Sequence, residues 1–282
     1  MRLCSLLIVL IFFSCKNDKE IFQKTIIKNK EETSSNKNIL KKFEDNFDVK
    51  LNSFWKRENQ DSARIKIVND PLEQENKVLK VDLNLGDYVS GGLRSEILIE
   101  PKDSFGYKTN YSFKFLLPND FFKENEDKGW IIIHQWHDSP PPGFGWSTYK
   151  EKTQPPLHLL IEHNPDGIYY LYFKTGLKTG GMDEIYTTIW KENLKPNQWY
   201  EFSCEVLWSL YNNEGYSIPK LNGNYPFDLK GDTMVKRERI MRRNMYNSLP
   251  NYFKMGLYRS GTEKHNRSIY FDDFKYKSIR MK

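Results

Sequence analysis

Arg94, Gln135, His137, Lys254 and Tyr258 are the residues of this sequence whose types and spacing carry chemistry. They fall in three short runs, Gly91–Glu100, Trp130–His137 and Tyr252–Tyr258, each rich in branched or aromatic side chains. A strand sends residues i, i+2 and i+4 to the same side. On that pattern one face of the first run collects Arg94, Glu96, Leu98 and Glu100, with Ser95, Ile97 and Ile99 opposite. One face of the second run collects Ile131, Ile133, Gln135 and His137. The third shows Tyr252, Lys254, Gly256 and Tyr258 on one side and an apolar row, Phe253, Met255 and Leu257, on the other. A guanidinium, an amide, an imidazole, an ammonium and a phenol suit β-elimination on a uronic acid polymer. The C5 proton of a uronate is weakly acidic because the adjacent carboxylate is already negative. Arg and an amide neutralise that carboxylate, so that it can absorb the developing enolate charge. A positioned His or Tyr removes the proton, and a Tyr hydroxyl protonates the leaving glycosidic oxygen. Neither water nor a metal takes part in the bond breaking.

The elements that must position these groups are strands. From about residue 44 the chain runs as short β-type segments, Ala63–Val68, Lys77–Leu83, Leu93–Ile99, Tyr111–Leu117, Trp130–His137, Leu157–Glu162, Ile168–Lys174, Trp199–Trp208, Tyr252–Tyr258 and Ser268–Tyr276. Gly, Pro, Asn and Asp separate them, which predicts an all-β sandwich or jelly roll. An aromatic content of 15% with a mean hydropathy of -0.72 agrees with a sandwich that carries a broad, wettable aromatic face. Asn222-Gly223 has the composition of a two-residue hairpin turn. The best helix candidate is Thr233–Met245, and no internal repeat is present. The segment Asp138–Pro156, with Pro140-Pro141-Pro142, Gly143, Gly145, Trp146 and Tyr149, is a long loop placed to wall a groove beside His137.

Arg94-Ser95-Glu96, Gln135-Trp136-His137 and Tyr252-Phe253-Lys254-Met255-Gly256-Leu257-Tyr258 resemble, in that order, the three signature strands of jelly-roll polysaccharide lyases. Alginate lyases of this fold show R-[ST]-E, Q-[IV]-H and Y-F-K-x-G-x-Y. The contexts His134-Gln135-Trp136-His137 and Gly256-Leu257-Tyr258-Arg259 are more similar to the heparin lyase I and glucuronan lyase branch. The resemblance runs from about residue 50 to 280. It implies a concanavalin-like jelly roll of two curved antiparallel sheets, with His137 and Tyr258 as the acid/base pair. It implies that Arg94 and Gln135 neutralise the substrate carboxylate, and that Lys254, Glu96, Tyr252 and Trp146 touch the polymer. Leu98 stands where alginate lyases usually carry a second Arg, Ser260 where they carry Gln, and Trp136 where they carry a small aliphatic residue. These departures move the expected substrate away from alginate, toward glucuronan-like or other glucuronate-containing polymers.

Other readings of the same residues make different predictions. A jelly-roll glycoside hydrolase needs two carboxylates set across a sugar, and Glu96 and Glu100 lack such a partner pattern. A non-catalytic surface glycan-binding protein of the same fold is the alternative; the joint presence of His137 and Tyr258 favours the enzyme. His134 and His137 are at odd spacing and face opposite sides, which excludes a zinc pair between them. His158 and His163 read as structural. The elimination needs no cofactor; Asp272-Asp273 resembles the closing strand of lectin-like sandwiches and leaves a structural calcium open. The run Lys236, Arg237, Arg239, Arg242 and Arg243 reads as a solvated face with a second reading as a guide for an acidic polymer.

The formal charge of +6 does not belong to the body of the chain. Residues 16–43 carry eight Lys against four acids, which leaves a net of +1 over 44–282. A nucleic-acid partner is therefore not expected. Met1-Arg2 followed by an apolar run from Leu6 to Phe13 and then Ser14-Cys15 reads as an export signal. It resembles the lipobox of bacterial lipoproteins, which implies cleavage before Cys15 and acylation of its thiol. The expected organisation is a signal peptide over 1–14, lipidated Cys15 with a flexible tether over 15–43, and a lyase domain over 44–282. That places a monomer on the outer membrane of the cell envelope, held by its lipid anchor, with an acidic polysaccharide as its partner. Cys4 leaves with the leader and Cys15 takes lipid, so Cys204 is alone and no disulfide framework forms.

Overall fold

The computed structural model describes residues 41–122, 129–149, 154–163, 169–179, 182–190, 192–230, 233–262 and 265–281. The expected signal peptide, Cys15 and the greater part of the tether lie outside these residues. The described chain contains nineteen strands and one 3-10 turn, Ser62–Arg64. The first nine are β1 (Lys41–Asp45), β2 (Lys56–Glu58), β3 (Ile65–Asn69), β4 (Lys77–Leu83), β5 (Leu93–Asp103), β6 (Tyr107–Leu116), β7 (Trp130–His137), β8 (Leu157–His163) and β9 (Tyr169–Thr175). Five more are β10 (Lys178–Thr179), β11 (Met182–Asp183), β12 (Tyr186–Ile189), β13 (Trp199–Leu207) and β14 (Tyr216–Leu221). The rest are β15 (Phe227–Lys230), β16 (Thr233–Lys236), β17 (Ile240–Met241), β18 (Asn251–Arg259) and β19 (Arg267–Arg280).

Two antiparallel sheets pack face to face. An eight-stranded sheet runs β17-β14-β13-β6-β19-β4-β3, with β1 pairing along the second half of β19. A nine-stranded sheet runs β16-β15-β12-β9-β8-β7-β18-β5-β2. This is the all-β jelly-roll sandwich expected from the sequence. Its strands alternate as a half-buried strand must: in β13 Tyr200, Phe202, Cys204 and Val206 are buried, and the residues between them are not. Phe113, Phe115, Phe202, Phe271 and Tyr276 meet Ile97, Ile99, Trp136, Leu159, Phe253 and Leu257 in one aromatic-rich core. Phe253 sits at its centre, with ring centroids 4.6 Å from His134, 5.2 Å from Phe274 and 5.6 Å from Tyr111.

Several expectations need correction. Among the described residues the first strand is Lys41–Asp45, in which Phe43 registers with Tyr276 and packs on it and on Phe54. Thr233–Met245 is not a helix but the short strands β16 and β17. Its basic residues are engaged: Arg237 with Asp228, Arg243 with Glu184, and Arg239 over the Tyr216 ring. Asn222 and Gly223 do adopt positive φ, 48° and 77°, closed by a Leu221–Asn224 bridge. The turn carries the chain from β14 in one sheet to β15 in the other, so it is not a hairpin within one sheet.

Candidate functional site

The strands β5, β18 and β7 are neighbours in the nine-stranded sheet, so the three motif segments lie side by side. Register places Tyr258 opposite Arg94, Gly256 opposite Glu96, Lys254 opposite both Leu98 and Gln135, and Tyr252 opposite His137. The even-spaced polar set therefore shares the sheet face turned away from the core. Gly256 permits this register. Its φ is +147°, and a Cβ there would lie 2.3 Å from the Ser95 carbonyl oxygen and 2.7 Å from the Glu96 Cα.

Alternation fails at one place in β7. Ile131 and Ile133 were expected on the face of Gln135 and His137, but both belong to the core, while Ile132 joins Leu160, Tyr172 and Tyr258 on the outer side. The cause is an irregularity in pairing: β7 shifts register against β8 between Ile132 and His134, and against β18 opposite Met255–Tyr258. Ile133 and His134 then both point inward. His134 is fully buried, with Nδ1 2.8 Å from the Lys254 carbonyl and Nε2 3.0 Å from the Tyr111 hydroxyl. A carbonyl only accepts, so Nδ1 donates and Nε2 accepts the Tyr111 proton. Burial lowers the His134 pKa to about 3, which keeps this ring neutral.

On the outer side the polar groups form two layers. The lower layer is buried and tied together. Glu96, 1% exposed, accepts from Gln135 Nε2 at 2.6 Å through one carboxylate oxygen. Its other oxygen lies 3.4 Å from Arg94 and 3.7 Å from Lys254. Lys254 is ion-paired to Glu58 of β2, and Arg94 Nη1 lies 3.9 Å from the same carboxylate. Burial pushes the Glu58 carboxyl up, but Lys254, Ser90 and Arg94 outweigh it and hold the pKa below its ordinary value. Glu96 and Lys254, expected to touch a polymer, are both buried, with Glu96 Oε2 3.7 Å from Lys254 Nζ.

The upper layer lies over this one: Arg94 is still buried, while His137, Tyr252 and Tyr258 are partly exposed. Arg94 lies 4.1 Å from the Tyr258 ring centroid, and Trp130 meets that ring edge-on at 5.0 Å. Gly92 gives both side chains their space, since a Cβ there would lie 2.8 Å from Arg94 Nη2 and from Tyr258 Cε2. His137 stacks on Tyr252 at 5.6 Å and meets Trp146 edge-on at 5.1 Å. Its Nδ1 lies 3.1 Å from the Asp138 carbonyl and 3.1 Å from the Asp138 carboxylate. Both partners accept, so in the neutral ring Nδ1 carries the proton and Nε2 offers a lone pair. Burial, then Glu58, Glu96 and Asp138, push the Tyr252 pKa upward, so its hydroxyl stays protonated.

Arg94, Gln135, His137 and Tyr258 together line one cleft of ≈ 270 Å³. A second cleft of ≈ 430 Å³ adjoins Tyr252 and Trp146, with Leu98 and Glu100 in its wall. His137 stands against the aromatic pair of the second cleft while lining the first. Trp146, more than half exposed, therefore does wall a groove from the long loop, and Gln154 and Pro155 from the loop's far end line the first cleft.

Sequence reading missed Glu58, Asp138 and the cleft role of His158. Asp138 directly follows the motif and could have been found by asking what orients His137. Glu58 sits on a three-residue edge strand with no motif around it. His158 was read as structural, and its Nδ1 does hold the Pro155 carbonyl at 3.1 Å, yet it also lines the cleft beside Glu162 and Lys174. Burial lowers its pKa to about 4. The side chain of His163 lies outside the described residues. Asp272 accepts from Asn76 at 3.2 Å, and Asp273 pairs with Lys114 at 2.6 Å. Among the described residues no three His, Cys, Asp or Glu side chains are grouped to hold a metal ion.

The fold is, first, a jelly-roll sandwich with a buried ionic layer beneath an open groove on one sheet face. The polysaccharide lyase family model matches residues 47–275, and the chain belongs to that family. It is therefore an enzyme of polysaccharide cleavage by elimination. Among solved structures it is similar to an endo-β-1,4-glucuronan lyase from the fungus Trichoderma reesei, with 16% identity and a TM-score of 0.56 over 80% of this chain and 95% of that one. It is also similar to a family 7 alginate lyase variant solved in complex with substrate, with 12% identity and a TM-score of 0.51 over 82% and 94%. At these identities the likeness is one of fold. No curated protein sequence matches the chain.

Proposed function

We propose that this polysaccharide lyase acts on a uronate-containing polymer at the cleft between Tyr258 and His137. The observation that supports this most is that Arg94, Gln135, His137 and Tyr258, drawn from three strands, line one cleft. The substrate carboxylate lies against Arg94 and the second N–H of the Gln135 amide, whose first N–H is held by Glu96. With that charge neutralised, a base takes the C5 proton, the C–H electrons form the C4–C5 double bond, and the C4–O bond breaks. The departing oxygen takes a proton and becomes the reducing end of one fragment; the other carries the unsaturated uronate. His137 Nε2 and the Tyr258 hydroxyl are the two groups that exchange these protons. Tyr252, kept protonated, packs against His137 and takes no proton.

Glucuronate-containing polymers are the substrates we favour. Leu98 lines the second cleft where an alginate-type second Arg would stand. A panel of polyglucuronate, heparin-type chains, polymannuronate and polyguluronate, followed by ultraviolet absorbance of the conjugated product, tests the choice. Fastest cleavage of polyglucuronate is the expected result; a strong preference for polymannuronate or polyguluronate would overturn it. Binding of every polymer with cleavage of none would favour the glycan-binding reading. We further propose that Cys15 is acylated and holds the enzyme to the outer membrane, since several acyl chains together anchor firmly. A fatty-acid probe should label the protein and fail to label Cys15→Ser; labelling that survives the change rejects the site.

A further inference from the structure

We infer that the outer face of the eight-stranded sheet, opposite the cleft, is a second and non-catalytic binding site for an acidic polysaccharide. Strand register builds it. Across β14, β13, β6 and β19 one row reads Lys220, Ser203, Ser112 and Lys275. The adjoining row reads Ile218, Glu205, Asn110 and Lys277, and β1 extends it with Lys42. Tyr111, Cys204 and Tyr276 alternate with these residues and are buried in the core, so the two rows face outward. Small polar side chains on β6 and on β13 at Ser203 make a floor, and lysines on β14 and β19 make two banks. The result is a trough of ≈ 500 Å³. The banks are three strand spacings apart, about 14 Å, which leaves room for a polysaccharide chain between them.

The charge is unbalanced in the direction a polyanion needs. Four lysines and two glutamates line the trough. Glu44 is paired with Lys42 at 2.9 Å. Glu205 is held by Lys108 at 3.7 Å and by the Tyr216 hydroxyl at 2.8 Å. Lys220, Lys275 and Lys277 form no ion pair with any described residue, although the body of the chain is nearly neutral. Tyr225 adds an aromatic surface at the trough, with Lys220 and Lys236 4.8 and 5.4 Å from its ring centroid. Cations interleaved with an aromatic over a hydroxyl-lined floor fit a chain of carboxylated or sulfated sugars. A polymer long enough to reach both faces binds with avidity, and a short oligosaccharide does not.

The choice of polymer rests on the uronate reading; the site itself does not. The test uses the full chain carrying Tyr258→Phe, so that polyglucuronate is not consumed, and measures retardation in gels containing that polymer. Lys220→Ala/Lys275→Ala/Lys277→Ala should weaken retention about tenfold, the combined size of three exposed charge contacts. The three Lys→Arg changes should retain it. In the otherwise wild-type chain the triple Ala variant should cleave a short oligosaccharide at the normal rate and the polymer at low concentration more slowly. Unchanged retention would overturn the site. So would a loss seen only on phosphatidylglycerol vesicles, which would make the face a membrane contact. Retention lost on polyglucuronate that the wild type never cleaves would support the back-face site while refuting glucuronate as the substrate.

Discussion

The two sides of the nine-stranded sheet use the same residue types for opposite ends. On the core side His134 donates to the Lys254 carbonyl and accepts from the Tyr111 hydroxyl, and burial keeps the imidazole neutral. On the outer side His137, three residues further along β7, and Tyr258 of β18 line one cleft. Position relative to the core, not residue identity, separates a structural His–Tyr pair from the pair proposed to move protons. The outer side also needs a foundation that the core side does not. Arg94 and Lys254 are placed by Glu96 and Glu58, and the ionic layer holds Gln135 and Arg94 at the cleft of the proposed elimination.

That contrast is sharpened most strongly by the two tyrosines. Tyr258→Phe should lower turnover about 10²–10⁴-fold, the usual contribution of positioned proton transfer, with the melting temperature unchanged. Tyr111→Phe should do the reverse. It leaves His134 Nε2 buried without a donor, which costs about 1–3 kcal/mol of stability and little activity. Steady-state kinetics and thermal unfolding on both variants measure the exchange of effects; equal activity losses would dissolve the distinction.

Glu96→Ala probes the foundation. It leaves Arg94 and Lys254 with Glu58 alone and the buried Gln135 amide without its acceptor, so a loss of about 1–3 kcal/mol is expected. Denaturant unfolding reads this directly, and an unfolding midpoint equal to wild type would mean that the ionic layer holds nothing in place.

Acid should act on the core side. His134 and His158 have folded-state pKa values of about 3 and about 4, below the unfolded value of 6.5. Above pH 6.5 both are neutral folded and unfolded, and contribute no pH dependence. Below it the unfolded chain takes up protons that the folded chain refuses, so stability falls as pH drops toward 4. Each ring contributes a slope of about 1.4 kcal/mol per pH unit. Thermal unfolding between pH 7 and 4.5 should show this decline, and His134→Gln, which cannot titrate, should roughly halve it, leaving the His158 part. A slope unchanged by that substitution would show that His134 does not titrate on unfolding as its burial implies.

The smallest effect belongs to the groove wall. Trp146 is more than half exposed and touches His137 only by its edge. Trp146→Ala should raise KM about fivefold, an aromatic contact of roughly 1 kcal/mol, with kcat unchanged. A fall in kcat without a change in KM would instead assign it to positioning His137.

Much of this molecule was legible before its structure. Period-two alternation placed the apolar rows of β18 and β5 in the core and their polar rows outside, because the two strands keep one register against each other from Phe253 to Arg259. The same rule misplaced Ile131 and Ile133, since a bulge changes the phase of a strand and leaves no mark in a row of isoleucines. Burial was the second blind spot. Glu96 and Lys254 look like surface charges in sequence, and only the third dimension shows each closing the other's ion pair. Thr233–Met245 looked helical because charged residues spaced along it fit a solvated face; pairing to β15 and β14 decided otherwise. Residues far from the motifs, such as Glu58, had no sequence signal at all.

The most direct test of the account is the mass of what the protein makes from polyglucuronate. Elimination at the Tyr258–His137 cleft predicts oligosaccharides each one water lighter than their saturated counterparts, with a conjugated uronate at the non-reducing end. Formation of these products should collapse in Tyr258→Phe and persist in Tyr111→Phe. Saturated fragments of full hydrated mass, or unsaturated ones made at the normal rate by Tyr258→Phe, would contradict it.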